Sequence, residues 1–279
     1  MTTHRLFPAA ISMTLVALLA PATAWAQATE ALPLWELGAF GVGLSQQAYP
    51  GSDQMIDRAL ALPYLIYRGK YLRSDRDNVG VRAVRTESME LDVGFSGAFG
   101  SNSNSIEARK GMPDLGTLVE FGPRIKWHLG SAPGNGRWRA ELAMRGVFDL
   151  TDHLRDKGVS LEPELIYERT SQSGLRYSTS AALVFGDPRL TDTFYGVAPV
   201  YATPTRPSYA AQGGLIMSRL SLNMSKAVTP DLRLFGFVRL ASVEGAANSA
   251  SPLVRQNAAS TIGVGLTYTI ARSSTRASE

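Results

Sequence analysis

Between Leu118 and Phe148 the side chains alternate in polarity with a period of two, and this limits the chain's folds more than any other feature. In LVEFGPRIKWHLG, Val119, Phe121, Pro123, Ile125, Trp127 and Leu129 share one parity. Glu120, Arg124, Lys126 and His128 take the other. After SAPGNGR the pattern resumes, with Trp138, Ala140, Leu142, Met144 and Phe148 against Arg139, Glu141 and Arg145. A period of two belongs to strands, whose successive side chains point to opposite faces. The Pro133-Gly134-Asn135-Gly136 linker is turn chemistry, so the stretch predicts a long hairpin with one oily and one ionic face. Strands of a soluble sandwich average only about 5–6 residues. Longer strands, oily outside and ionic inside, suit a transmembrane barrel.

The rest of the chain repeats this unit. Strands are predicted over Trp35 to Gln46, Arg58 to Tyr67, Ser88 to Phe99, 161–168, 175–185, Ala210 to Ser225, Asp231 to Val243 and Ser260 to Ile270. Shorter pieces cover Tyr71 to Asp75 and Asn78 to Arg85. From residue 100 onward, long connections (100–116, 150–158, 187–209, 244–259) alternate with short turns. Bacterial barrels place long loops outside, short turns in the periplasm, and use an even number of strands. The fold expected is all-β, a transmembrane antiparallel up-and-down β-barrel of about 12 strands. If 71–75 and 78–85 form one interrupted strand the count is eleven, which the even rule disfavours; ten and fourteen remain open.

Composition bounds the location. Leu6 to Leu19 is an apolar core behind His4 and Arg5, and Ala24-Trp25-Ala26 is a small-residue cleavage site. Residues 1–26 therefore read as a cleaved signal peptide, 27–270 as the outer-membrane barrel and 271–279 as a polar tail. The longest apolar run after the signal, Ala59 to Tyr67, spans nine residues and includes a proline. That is far short of the ~20 residues a membrane helix needs. The chain has no cysteine, which excludes a lipoprotein anchor, disulfides and thiolate chemistry. A net charge of +4 is too mild to argue for nucleic acid. The expected location is the outer membrane of a Gram-negative bacterium, among its lipid and lipopolysaccharide.

Two sets of side chains follow from this topology. Trp127, Trp138, Tyr167, Tyr177 and Tyr268 fall on the lipid side at the periplasmic end, and Phe99, Phe148 and Phe185 at the external end: two aromatic girdles. Glu120, Arg124, Lys126, Arg139, Glu141, Arg145, Glu162, Glu164 and Glu168 face inward as a lumen charge cluster. Ion pairs filling a narrow lumen, or a selectivity lining of a small pore, both fit such a set.

Catalytic signals are sparse. The only histidines after the signal are His128 and His153. No spacing supplies the three or four ligands of a zinc site. His153 shares a loop with Asp149, Asp152 and Asp156, the composition of a rim hydrolase or, more simply, of a solvated charged loop balanced by Arg155 and Lys157. No G-x-S-x-G or phosphate-binding glycine loop occurs. The chain is expected to be no enzyme and to need no cofactor or metal. Gly41, Gly43, Gly263 and Gly265 are expected to ease strand bending.

Several segments resemble the MltA-interacting protein family, also called MipA/OmpV: YPGSD (49–53), LPYLIYRGKYL (62–72), RKGMPDLG (109–116), EFGPRIKWHL (120–129), FYGV (194–197), YAAQGGL (209–215) and SPLV (251–254). The resemblance covers nearly all of the chain after the signal. It implies an outer-membrane barrel acting as a non-enzymatic scaffold between a lytic murein transglycosylase and a penicillin-binding protein. Other members are described as porin-like or adhesive, so a narrow channel and an adhesin working through external loops remain alternatives. The family brings no catalytic motif. Barrels of this kind usually end on an aromatic residue of the last strand. Here Tyr268-x-Ile270 fits that signal, but the chain continues through ARSSTRASE, expected to hang free in the periplasm.

Overall fold

Twelve antiparallel strands close into a barrel in a computed structural model. It describes the backbone of residues 32–68, 73–75, 78–86 and 88–277, and the side chains of these except 73–75 and 78–85. The expected signal peptide lies outside the described residues. The strands are β1 (Trp35–Gln47), β2 (Met55–Arg68), β3 (Arg73–Asp75), β4 (Asn78–Arg85), β5 (Met89–Ala98) and β6 (Leu118–Ala132). They continue as β7 (Gly136–Asp149), β8 (Arg155–Thr170), β9 (Arg176–Gly186), β10 (Gly214–Ala227), β11 (Leu232–Ser242) and β12 (Ala258–Arg272). Each pairs with its neighbours in sequence, and β1 pairs with β12 to close the ring.

The alternation read from the sequence sets the two faces. Phe95, Phe121, Met144, Leu161, Leu165, Leu220, Val264 and Ile270 are exposed on the outside. Asp92, Arg124, Lys126, Glu141, Arg145 and Glu162 are buried on the inside. That inversion of the soluble pattern is what a lipid solvent demands. β6, with 15 residues, and β8, with 16, are long enough to cross and project beyond the membrane. Pro123 and Pro163 point outward, and each interrupts the ladder locally. The β6–β7 register lacks pairs for Gly122 and Pro123, and the β8–β9 register lacks pairs for Glu162 and Pro163.

The wall is uneven. Among the described residues, β3 pairs with β2 through Tyr67↔Ser74 and Arg68↔Arg73. β4 pairs with β5 from Arg85↔Glu90 up to Gly80↔Gly94 and no further. Among the described residues, Met55 to Ile66 of β2 thus pair with β1 alone, and Phe95 to Ala98 of β5 pair with β6 alone. Toward the loops, the Arg58 guanidinium of β2 donates to the Gly100 carbonyl at 2.9 Å.

Three boundaries differ from the sequence reading. β8 begins at Arg155, so the charged connection is shorter than 150–158. Residues 187–213 are not bare loop: they hold α1 (Pro188–Tyr195), started by an Asp187 side chain that accepts from the Leu190 amide at 2.8 Å and by Pro188 in the first turn. The tail does not hang free. β12 runs to Arg272, the Ser273 amide donates to the Trp35 carbonyl at 2.9 Å, and the Ala277 amide donates to the Leu32 carbonyl at 2.8 Å. Backbone amides and carbonyls beside an unpaired strand end find partners wherever the chain supplies them.

Candidate functional site

Five strands, β5 to β8 and β10, build one ionic wall of the lumen. Near the turn end, Arg124 donates to both oxygens of Asp92, from Nε at 2.9 Å and Nη2 at 2.7 Å. Lys126 Nζ lies 2.7 Å from Asp92 and 3.2 Å from Glu90. Arg139 bridges Glu141 and Glu168, each at 2.8 Å, and Arg124 lies 3.6 Å from Glu141. Nearer the loop end, Arg145 sits 2.8 Å from Glu162 and 3.6 Å from Glu120, and Arg219 meets the other oxygen of Glu162. Eight of the nine inward charges expected from the sequence enter these two networks. Glu164 forms no ion pair among the described residues. Asp92, Glu90 and Arg219 complete the networks and were absent from the expected cluster. Parity gave a signal for the first two, which alternate with Leu91 and Val93, but Arg219 is an isolated charge in an otherwise mild strand.

The opposite wall, from β11, β12, β1 and β2, carries an apolar band between the levels of Arg233 and Arg239. Phe40, Val42, Leu60, Leu62, Phe235 and Phe237 take the inward parity, given the registers Phe40↔Leu62, Val42↔Leu60 and Val42↔Gly265. Phe40 and Phe235 stack at 5.7 Å with rings 4° from parallel. Gly263 and Gly265 explain how the rings fit. A side chain at either position would overlap the ring of Phe237 or Phe235. The glycines of β12 therefore seat these rings flat against the wall, in place of the bending role expected. The outward Gly41 and Gly43 have no such neighbour. A cavity of about 680 Å³ enters from the turn end and reaches Phe235 and Phe237, passing Arg137, Arg139, Glu168 and Arg176.

The loop end is covered. Four connections, 48–54, 99–117, 187–213 and 243–257, pack into a cap with its own apolar centre of Tyr49, Ile106, Met112, Leu115, Val197 and Leu253. A second cluster, with Leu118, Val147, Leu190, Tyr195 and Ile216, joins α1 to the barrel rim. Buried hydrogen bonds cross between loops. Tyr49 donates to the Leu253 carbonyl at 2.7 Å, Ser251 to the Tyr195 carbonyl at 2.7 Å, and Tyr195 to the Ile216 carbonyl at 3.2 Å. Burial pushes the Tyr49 phenol up to about 12 and raises that of Tyr195 further. Burial likewise lowers Arg109, whose guanidinium lies 5.7 Å from the Tyr49 ring centroid, to about 10.

The model of one family, described as MltA-interacting protein MipA, matches residues 37–270. The chain belongs to that family. No curated protein matches it. Among solved structures it is similar to the NanC porin, at 10% identity over 84% of this chain and 98% of the other, with a TM-score of 0.37. It is also similar to Pseudomonas putida OprB, at 8% identity over 85% and 94%, with a TM-score of 0.38. Within this MipA-family barrel, five of the segments that carry the resemblance meet in the cap. They are YPGSD, RKGMPDLG, FYGV, YAAQGGL and SPLV, which bring Tyr49, Met112, Leu115, Val197, Tyr209 and Leu253 to one cluster.

The remaining expected positions are readily placed. Trp127, Trp138, Tyr167 and Tyr177 lie on the outer face toward the short turns, where Trp138 meets Tyr167 edge-on at 5.4 Å. Tyr268 is there too, opposite Leu232, and the sequence reading missed the exposed Trp35 and Tyr67 beside it. Phe148 and Phe185 lie toward the loops, Phe148 stacked on Phe121 at 5.0 Å; Phe99 lies just beyond β5. His128 lies on β6 opposite Arg139. The rim constellation around His153 does not assemble. Its side chain is fully exposed, 4.0 Å from Asp152. Asp149 is held by Thr151 and Lys157, and Asp156 by Arg189. No group of three or more metal-ligating side chains occurs among the described residues.

Proposed function

We propose that this outer-membrane barrel is a non-enzymatic scaffold of a Gram-negative envelope, which holds a lytic murein transglycosylase and a penicillin-binding protein at its periplasmic end. The carrying observation is the asymmetry of the two mouths. The loop end carries four connections packed around a hydrophobic centre, whereas the turn end presents short turns and a cavity. A through channel has no need of such a cap, and a docking platform has no need of an open outer mouth. The family's description, an MltA-interacting protein, supports a murein transglycosylase as one partner. The turn-end rim also carries Arg137, Arg169, Arg176, Lys226, Arg272 and Arg276 against Glu168 and Asp231, a surface that favours acidic partners.

Photo-crosslinking residues placed at Ser131 and Asn135 test the reading in intact envelopes. Capture of murein enzymes from these positions, and not from the capped end, is expected. Capture of none from the turn end overturns it. The paired lumen charges and the cavity favour a narrow channel as a second reading. Planar-bilayer conductance that changes with Arg145→Ala would put that reading first.

A further inference from the structure

We propose that the lumen binds a single-chain anionic amphiphile, its tail on the apolar wall and its head at Arg239. A lumen that only excluded water or filled itself with ion pairs has no reason to carry an apolar wall. Phe40, Val42, Leu60, Leu62, Phe235 and Phe237 line one side of this lumen continuously, and Leu62, although inward, is 49% exposed. Gly263 and Gly265 hold the two β11 rings back against the wall, which keeps the space beside them clear.

Charge supplies the head site. Arg239 lies on the same strand as Phe235 and Phe237, at the loop end of the apolar wall. Its guanidinium sits 4.7 Å from the Phe237 ring centroid and is exposed to the lumen. Among the described residues no carboxylate lies within ion-pair distance of it, and Glu162 and Glu164 act on it only from farther off. Ser221, its register partner, lies two residues from Arg219, whose Nε is buried without a hydrogen-bond partner although its terminal nitrogen engages Glu162. An unpaired guanidinium beside a second one with a free donor, above an apolar strip, is complementary to a carboxylate or phosphate head on an acyl tail.

The turn-end cavity supplies the route: it reaches Phe235 and Phe237, so an amphiphile meets the apolar wall without passing the cap.

The test uses the full barrel in phosphatidylcholine nanodiscs with a diazirine-bearing long-chain carboxylate. Adducts are expected on peptides holding Phe40, Leu60 and Phe235, suppressed by dodecanoate and not by dodecanol. Arg239→Gln should weaken that suppression about tenfold, the worth of one charge-assisted hydrogen bond. Leu62→Asp should abolish the adducts while the folded barrel keeps its heat-modifiable gel mobility. Equal competition by dodecanol removes the head assignment. Adducts confined to outward residues such as Leu65 and Val264 overturn the whole proposal.

Discussion

At the scale of single residues, Glu162 is the hinge of the upper ionic network, because two arginines share its two oxygens. Removing one member of a buried pair leaves its partner's desolvation uncompensated, at a cost of about 3 kcal/mol or more. Glu162→Gln strands two guanidiniums and should destabilise more than Glu120→Gln, which removes only a 3.6 Å contact. Urea titration of the two variants in matched micelles checks the order. Gly263→Val should force Phe237 off the wall and cost about 1–3 kcal/mol through overpacking, read in the same titration. Residue roles were legible where they followed parity, as with Arg124, Lys126 and Glu141. They were hidden where a contact crosses strands far apart in sequence. Nothing local marks Gly263 as the seat of Phe237, or Arg219 as the partner of Glu162 some 57 positions away.

At the scale of elements, the strands were legible and the loops were not. Strand alternation is imposed by two solvents on two faces and repeats every second residue. Packing in the cap is set by contacts between four separate loops and leaves no period to read. The apolar residues in RKGMPDLG and FYGV could be quoted as motifs, yet their meeting over Tyr49 is a fact of three dimensions. The cap's buried phenols predict an alkaline transition. Below pH about 10 tyrosine is neutral in both the folded and unfolded states. Between about 10 and about 12 the unfolded state loses the Tyr49 proton while the folded state keeps it, so cap stability falls as pH rises. Arg109, lowered to about 10, opposes this, since the folded state gives up its proton first. Tyr195 adds to the Tyr49 side. Net loosening should appear as loop proteolysis that accelerates through this window, and Tyr49→Phe should flatten its tyrosine share. The tail makes its own prediction. Ending the chain after Arg272 removes the Thr275 carbonyl that accepts from the Leu34 amide at 2.9 Å, so hydrogen exchange at Leu34 should accelerate while the central strands stay protected.

For the whole molecule, barrel class could be read, and strand number narrowed to between ten and fourteen, because closure, parity and alternating connection lengths constrain one another. The division of the lumen into an ionic and an apolar half could not. Inward apolar residues on β1, β2 and β11 look, in one dimension, like ordinary buried strand positions. A capped lumen predicts small or absent conductance for the native barrel and a clear increase once residues 196–212 are replaced by a short Gly-Ser link, measured in planar bilayers. An unchanged trace after that replacement would show that the paired charges, and not the loops, block the path.

The uneven wall also bears on how the cylinder comes apart. A ring of strands is only as cooperative as its weakest join. Among the described residues, β1 and β12 are joined by ten register pairs and the tail, whereas β2 and β3 share two. The seam of the chain ends, normally the natural place for a ring to split, is here the stronger one. Pulling or denaturant should unzip the ring from the β2–β3 junction, leaving a curled sheet from β5 through β12 and on to β1 and β2 as the last cooperative piece.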